Sequence, residues 1–122
     1  MTMAYGRLAI VALAPLAGLL SPARAAEAGA DQIAAGREFA RRVCGACHVV
    51  TPQGDELPVL SPPGPSLAVI AQRPRFTEPA LRDFLTSNHG GMGPHEAMPN
   101  PRLADYQIDE IVAFMMSLKG AK

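Results

Sequence analysis

Cys44-Gly45-Ala46-Cys47-His48 is the stretch of this 122-residue chain that decides its fold. Two cysteines three positions apart lie on one face of a helical turn, so their thiols can reach one edge of the same group. They are the only cysteines in the sequence. A disulfide between them would close almost no loop and would remove little entropy from the unfolded state. Their main role is therefore to bind or react with another group, and not to stabilise the fold by a disulfide.

Two cysteines at this spacing followed directly by a histidine are typical of a covalent haem attachment site. The thiols of Cys44 and Cys47 would bond the two vinyl groups of one porphyrin, and the imidazole of His48 would bind the iron. A thioredoxin-like redox pair also uses two such cysteines, but it follows a strand in a βαβ unit. A zinc site needs about four ligands, which here would have to include His89 or His95. The sequence favours haem c as the cofactor.

The first 25 residues have the parts of a secretory signal peptide. The basic residue Arg7 precedes an apolar run over residues 8–20. The small residues Ala23 and Ala25 then stand two positions apart before the expected cut. The run falls short of the roughly 20 residues that a membrane-spanning helix needs. We therefore predict cleavage after Ala25 or Ala26. This leaves residues 26–122 as one periplasmic domain without stable membrane insertion, and secretion agrees with haem attachment, which takes place outside the cytoplasm.

The composition limits the classes of function. The 11 basic and 11 acidic side chains balance to a net charge of zero, and no window is rich enough in Lys or Arg for a nucleic-acid footprint. A chain of this length has room for a single domain, which we expect to be a monomer. Gly and Pro make up 23 of the 122 residues, which indicates long ordered loops rather than low-complexity disorder.

Three segments carry apolar residues at helical spacing. They are residues 31–43, 77–87 and 105–119. Asp31 and Thr77 can act as N-caps of the first two, because a side-chain oxygen can accept a hydrogen bond from a free amide of the first turn. For the last helix the candidates are Ala104 and Asp105, and Asp105 is the better cap by residue type. Residues 51–65 and 88–101 are rich in Gly and Pro and are expected to form loops. No strand alternation of any length appears, so the predicted fold class is all-α with long Gly/Pro-rich loops.

On these residues the mature chain resembles the class I cytochrome c family over its whole length. In that family a Gly eight residues before the first cysteine lets the N-terminal helix pack closely on the C-terminal one, and Gly36 stands at that distance from Cys44. Phe114 corresponds to the aromatic residue of the last helix. Ala40 stands where the family usually has an aromatic, with Phe39 one position earlier. The resemblance implies N- and C-terminal helices packed across each other around one covalently bound haem.

Gly64-Pro65-Ser66-Leu67 resembles the Gly-Pro-x-Leu element of the family. The resemblance implies that the Pro65 carbonyl accepts a hydrogen bond from the ring N–H of His48, which orients the imidazole and raises its basicity as a ligand. It also implies that Leu67 packs on the face of the haem. Without the resemblance, these residues form an ordinary proline turn.

Met98-Pro99 resembles the pair that supplies the distal haem ligand in the family, fifty residues beyond the proximal histidine. The resemblance implies Met98 as the sixth ligand, and a thioether favours reduced iron and raises the reduction potential. Three other candidates lie in the same loop, namely Met92, His89 and His95. An open sixth position is the remaining alternative.

We therefore predict a one-electron carrier rather than an enzyme, with redox proteins as its partners. The resemblance implies that electrons are exchanged through the haem edge near Cys44 and Cys47. The alternatives are a haem enzyme or sensor with a labile distal ligand, which binds peroxide or a gas, and the haem subunit of a larger dehydrogenase or oxidase. The family often binds the haem propionates with Trp, Tyr or Arg, and the available donors here are Arg73, Arg75 and Tyr106.

The secreted protein is expected to begin at Ala26 or Glu27, because small residues precede the cut. Intact-mass spectrometry of the haem-loaded product measures this. The double change Ala23→Arg/Ala25→Arg removes those small residues and should leave the leader attached, whereas the matched change Ala30→Arg should not. A parent product with the mass of the full chain would contradict the prediction.

Overall fold

The computed structural model describes residues 22–51, 57–87 and 98–120. Four helices connected by irregular segments make up these ranges, and no strand occurs within them. The helices are α1 (Pro22–Val43), α2 (Leu67–Ala71), α3 (Glu78–Thr86) and α4 (Asp105–Ser117). The all-α prediction is confirmed. Most of the predicted leader, residues 1–21, falls outside the described residues, so its cleavage stays a prediction.

Helix α1 begins earlier than the sequence pattern indicated. The prediction that it begins near Asp31 is wrong, because the helix extends back to Pro22 and Asp31 lies exposed within it. The intervening stretch is rich in alanine, the residue with the highest helix propensity. Proline is tolerated at the first helical position, where its missing N–H has no partner to lose. The helix therefore continues across the predicted cleavage position at Ala25.

Helices α1 and α4 pack against each other at Gly36. A Cβ atom at this position would overlap the backbone carbonyl of Glu110 and would lie 3.0 Å from the Cβ of Phe114. Ala40, one turn further along α1, is completely buried, and Phe114 is 1% exposed. Phe39 packs part-buried against the same core. The crossing therefore places small residues of α1 against the backbone and the large aromatic side chain of α4.

The buried core draws on all four helices and the segments beside them. It consists of Ala40, Val50, Leu67, Ala71, Phe76, Leu81, Leu85, Ile108, Ile111, Val112, Phe114 and Met115. No helix in the described ranges is both long enough and apolar enough to cross a membrane.

The ends of α3 and α4 show how far capping follows from sequence. Thr77 is the N-cap of α3, as predicted, and its Oγ1 accepts a hydrogen bond from the Ala80 amide at 3.3 Å. The prediction of Asp105 as the cap of α4 is wrong, because the chain turns one residue earlier and Ala104 occupies the N-cap. The Oε1 atom of Gln107 accepts a hydrogen bond from the Ala104 amide at 2.9 Å. Asp105 instead lies in the first turn, where a carboxylate is favoured by the helix dipole.

Polar contacts hold α4 to its neighbours. Arg82 of α3 donates to Asp109 at 2.7 Å and to Glu78 at 3.0 Å. The hydrogen bond to Asp109, followed by that to Glu78, raises the pKa of Arg82 above its ordinary value, so the guanidinium stays charged. At the other end of α4, the Lys119 ammonium donates to the Phe76 carbonyl at 2.9 Å. These contacts fix α4 relative to α3 and to the segment that follows α2.

The Gly36→Ala variant is expected to lose about 1–3 kcal/mol in the free energy of unfolding, because its Cβ forces α1 away from α4. Urea denaturation of the haem-loaded protein measures the change. Gly29→Ala is the matched control, since nothing lies within 4 Å of a Cβ placed there. That substitution should be neutral or should stabilise the helix by up to about 1 kcal/mol. Equal effects at both positions would contradict the close crossing.

Candidate haem-binding site

The cysteine motif forms a turn that continues directly from the end of α1. The Cys44 amide donates to the Ala40 carbonyl at 2.7 Å, and the amides of Cys47 and His48 donate to the Cys44 carbonyl at 3.1 and 2.9 Å. This bonding keeps the turn helical, so the two thiols share one side of it. Both thiols are free and half-buried. The turn therefore presents both thiols to one edge of a cofactor.

Cys44 packs against the apolar core, and its burial controls its ionisation. Burial raises the pKa of the Cys44 thiol to about 11, with a smaller contribution from the neighbouring Cys47. Burial disfavours the thiolate because an ion loses its hydration there. The group is consequently protonated and neutral at physiological pH, and a thioether, which carries no charge at any pH, suits the same position.

The His48 ring is oriented by a backbone acceptor. Its Nδ1 lies 2.7 Å from the carbonyl oxygen of Pro65. A carbonyl can only accept, so Nδ1 must carry the proton, and in the neutral ring Nε2 is then left with a free lone pair. This is the arrangement in which metal-binding histidines are usually held. Two free thiols beside an imidazole of this tautomer fit a covalently attached haem with His48 as an iron ligand.

Gly64 brings the loop backbone against the His48 ring, a role that the sequence analysis did not assign. A Cβ at Gly64 would lie 2.8 Å from Cε1 and 2.9 Å from Nδ1 of His48. The Gly64 amide also donates to the Cys47 carbonyl at 2.8 Å. Only a residue without a side chain allows the Pro65 carbonyl to come this near. The glycine of the Gly-Pro-x-Leu element was the available signal.

Leu67 opens α2 and is buried in the core at 4% exposure. Its amide donates to the Val49 carbonyl at 3.0 Å. Ser66 caps this short helix by accepting the Val69 amide at 3.2 Å. The structure thus brings Leu67 to the chain just beyond the cysteine turn. Its contact with the face of the haem stays a prediction.

Met98 lies part-buried against the same apolar core that Cys44 contacts. Asn100 fixes the chain directly after it, since its amide donates to the Ser87 carbonyl at 3.2 Å and its oxygen accepts the Arg102 amide at 2.8 Å. This role of Asn100 was not predicted from the sequence, although asparagine commonly bonds to nearby backbone in turns. The role of Met98 as a ligand stays a prediction.

Comparison with known proteins identifies the family. A family model described as Cytochrome c matches residues 33–119, a range that includes every predicted haem-binding residue. The chain belongs to the cytochrome c family. Its cofactor is therefore haem c, attached through Cys44 and Cys47, and the crossing of α1 and α4 is that of the cytochrome c fold. Electron transport is the corresponding function.

A curated relative supports the same family. This cytochrome is 35% identical over 99 residues to cytochrome c-552 of Bradyrhizobium diazoefficiens, which covers 81% of this chain and 82% of the relative. No solved structure matches the chain.

The thioredoxin-like alternative for the motif lacks the structural context that it needs. A thioredoxin-like pair follows a strand, whereas the element before Cys44 in this cytochrome is the 22-residue helix α1. Within the part of the chain that the structure describes, no group of three or more His, Cys, Asp or Glu residues is placed to hold a metal ion. His89 and His95 lie outside the described residues, as does Met92.

The candidate propionate donors of the cytochrome lie on two different segments. Arg73 and Arg75 are exposed in the turn that follows α2, and Tyr106 is 63% exposed in the first turn of α4. All three side chains are exposed and can therefore donate to a propionate at the surface.

The Gly64→Ala variant is expected to displace the His48 ring and weaken its hydrogen bond to Pro65, because the new methyl group would lie within 3 Å of the ring. Overpacking of this kind costs about 1–3 kcal/mol in the free energy of unfolding. Nuclear magnetic resonance of the reduced holoprotein measures the shift and exchange rate of the Nδ1 proton. The exposed neighbour Pro63→Ala is the control. An unaltered Nδ1 resonance in Gly64→Ala would count against this role.

Proposed function

We propose that this cytochrome is a periplasmic one-electron carrier whose single haem is ligated by His48 and Met98. The hydrogen bond between His48 Nδ1 and the Pro65 carbonyl is the observation that carries the proposal. It leaves Nε2 unprotonated and fixes the direction in which that nitrogen points. A ring held in this way can remain bound to iron in both oxidation states.

Bound haem c supplies one iron atom that alternates between the ferric and ferrous states. The protein contributes a fixed environment for that change. Cys44 and Cys47 tether the porphyrin edge at the end of α1, so the cofactor stays in place without a large apolar core. His48 is held by Pro65 and does not have to reorient. A rigid ligand set lowers the structural change that accompanies each transfer.

Met98 is proposed as the distal ligand. Its part-buried position against the core and the hydrogen bonds of Asn100 behind it support a defined location for the thioether. A soft, neutral sulfur ligand favours ferrous iron and raises the reduction potential. With both axial positions filled by protein, no site remains for peroxide or a gas, and this favours electron transfer over catalysis.

The location and partners follow from the same proposal. The signal-peptide pattern of residues 1–25 and the chemistry of haem attachment support a mature periplasmic domain of residues 26–122. The protein would act as a monomer that meets redox proteins through the haem edge near Cys44 and Cys47. Such electron-transfer encounters are small and short-lived.

Replacing Met98 by alanine is expected to abolish the weak near-infrared absorption band of methionine sulfur bound to ferric haem. The reduction potential should fall by on the order of 0.1 V or more, since axial ligands set haem potentials over a range of about 0.8 V. Absorption spectroscopy of the oxidised protein and potentiometric titration measure the two effects.

Two methionine variants serve as controls for Met98→Ala. Met92→Ala removes the competing sulfur of the same loop, and Met116→Leu changes a part-buried methionine of α4. Both should keep the near-infrared band. A band missing from the parent at neutral pH would overturn the ligation by Met98, and peroxide or gas binding would then be the function to pursue.

A further inference from the structure

Two of the most exposed apolar side chains in the described residues lie on the segment that leads away from the cysteine turn. Leu57 is 83% exposed and Val59 is 86% exposed, and Leu60 beside them is 48% exposed. Single apolar residues on a surface are ordinary, but several together usually mark an interaction site. We refer to these three side chains as the apolar patch.

Hydrogen bonds attach the apolar patch to the turn that carries the thiols. The Leu60 amide donates to the Ala46 carbonyl at 3.1 Å, and the Gly64 amide donates to the Cys47 carbonyl at 2.8 Å. Ala46 stands between the two cysteines and is exposed. Residues two apart do not share a face of a helical turn. The patch is therefore bonded directly to the turn whose two thiols would hold the haem edge.

The chain that continues from the apolar patch carries no charged side chain as far as Gln72. No ionisable side chain occurs in residues 57–72, and those in residues 43–51 belong to Cys44, Cys47 and His48, which would hold the haem. The exposed Arg41 and Arg42 precede this range in the last turn of α1. Asp55 and Glu56 precede the patch in sequence and fall outside the described residues. A surface that selects its partner by charge places charged side chains around the contact. Here the described residues beside the haem edge offer apolar and neutral groups instead.

We propose that Leu57, Val59 and Leu60 form a docking surface for a redox protein whose own surface around its cofactor is apolar and uncharged. The inference rests on the proposed function, since a redox partner must approach the haem edge near Cys44 and Cys47. The patch adjoins that edge, so an approaching partner covers it. Burial of apolar surface drives the contact, and salt has little effect on it.

A second copy of the protein presents the same surface and serves as the probe. The rate constant of electron self-exchange is measured by nuclear magnetic resonance in mixtures of ferrous and ferric holoprotein. The salt concentration is raised from about 0.01 M to about 1 M, over which the screening length falls from about 30 Å to about 3 Å. We expect the rate constant of the parent to change by less than about twofold, because the side chains of the apolar patch carry no charge to screen.

The double variant Leu57→Lys/Val59→Lys puts two like charges on each side of the contact. Self-exchange at low salt should slow by about tenfold or more, since losing 1.4 kcal/mol of contact energy is a factor of ten. Added salt should restore part of the rate. The matched control Gln32→Lys/Ala35→Lys has the same net charge on exposed positions of α1, at least about 12 Å of helix from the cysteine turn. It should behave like the parent.

Several outcomes would overturn the docking surface while leaving the proposed function intact. Equal slowing in both double variants, or a strongly salt-dependent parent, would show that the patch does not form the contact. A changed spectrum or potential in Leu57→Lys/Val59→Lys would place these side chains against the haem. Sedimentation with neutral phosphatidylcholine vesicles, lost in that variant, would assign the patch to a membrane. A stable dimer in analytical ultracentrifugation, lost in the same variant, would assign it to permanent self-association.

Failure of the proposed function has a separate signature. It appears in the parent alone, as the absence of the methionine–iron band and of a reversible one-electron wave. An intact parent spectrum combined with any of the overturning results above concerns the apolar patch only.

Discussion

The hydrogen bond from His48 Nδ1 to the Pro65 carbonyl is the contact on which the rest of the site depends. It joins the cysteine turn to a loop 17 residues further along the chain, and it determines which ring nitrogen is free for iron. The bond requires the loop backbone to lie against the imidazole, which is possible because Gly64 has no side chain. The Gly64–Cys47 and Leu67–Val49 backbone bonds hold the loop in that place. Ring, turn and loop thus form one rigid unit.

The helices and the loops have different roles in this structure. The four helices supply most of the buried core, and Cys44 follows the last turn of α1. The loops supply the remaining haem-binding candidates and are held by their own hydrogen bonds, such as those of Asn100 after Met98. A chain with a small core can therefore position a large cofactor, because each ligand is attached to a helix end or to a bonded loop rather than to a thick layer of packed side chains.

Sequence alone was sufficient where a feature depends on local chemistry. The cysteine turn and the cap of α3 at Thr77 follow from residue type and spacing. The close contact at Gly36 is tertiary, and it was predicted from the resemblance to the family. The prediction failed where backbone geometry decides between neighbours. Asp31 is a good cap by residue type, yet the alanine-rich chain before it continues the helix. Asp105 is likewise a good cap by type, but Ala104 occupies the N-cap position of α4. The role of Gly64 depends on a tertiary approach that spacing along the chain does not reveal.

The crossing at Gly36 also bears on how this sequence can change over time. At Glu110 the contact is made by the backbone carbonyl and not by the side chain, so the residue type at this position of α4 is free to vary. The contact with Phe114 is made by the Cβ atom, which every residue except glycine has. What the crossing demands is the absence of a side chain at one position of α1. A requirement at one position contributes very little to the percentage identity between two sequences. Sequences of low identity can therefore retain the same helix crossing, provided that the position equivalent to Gly36 has no side chain.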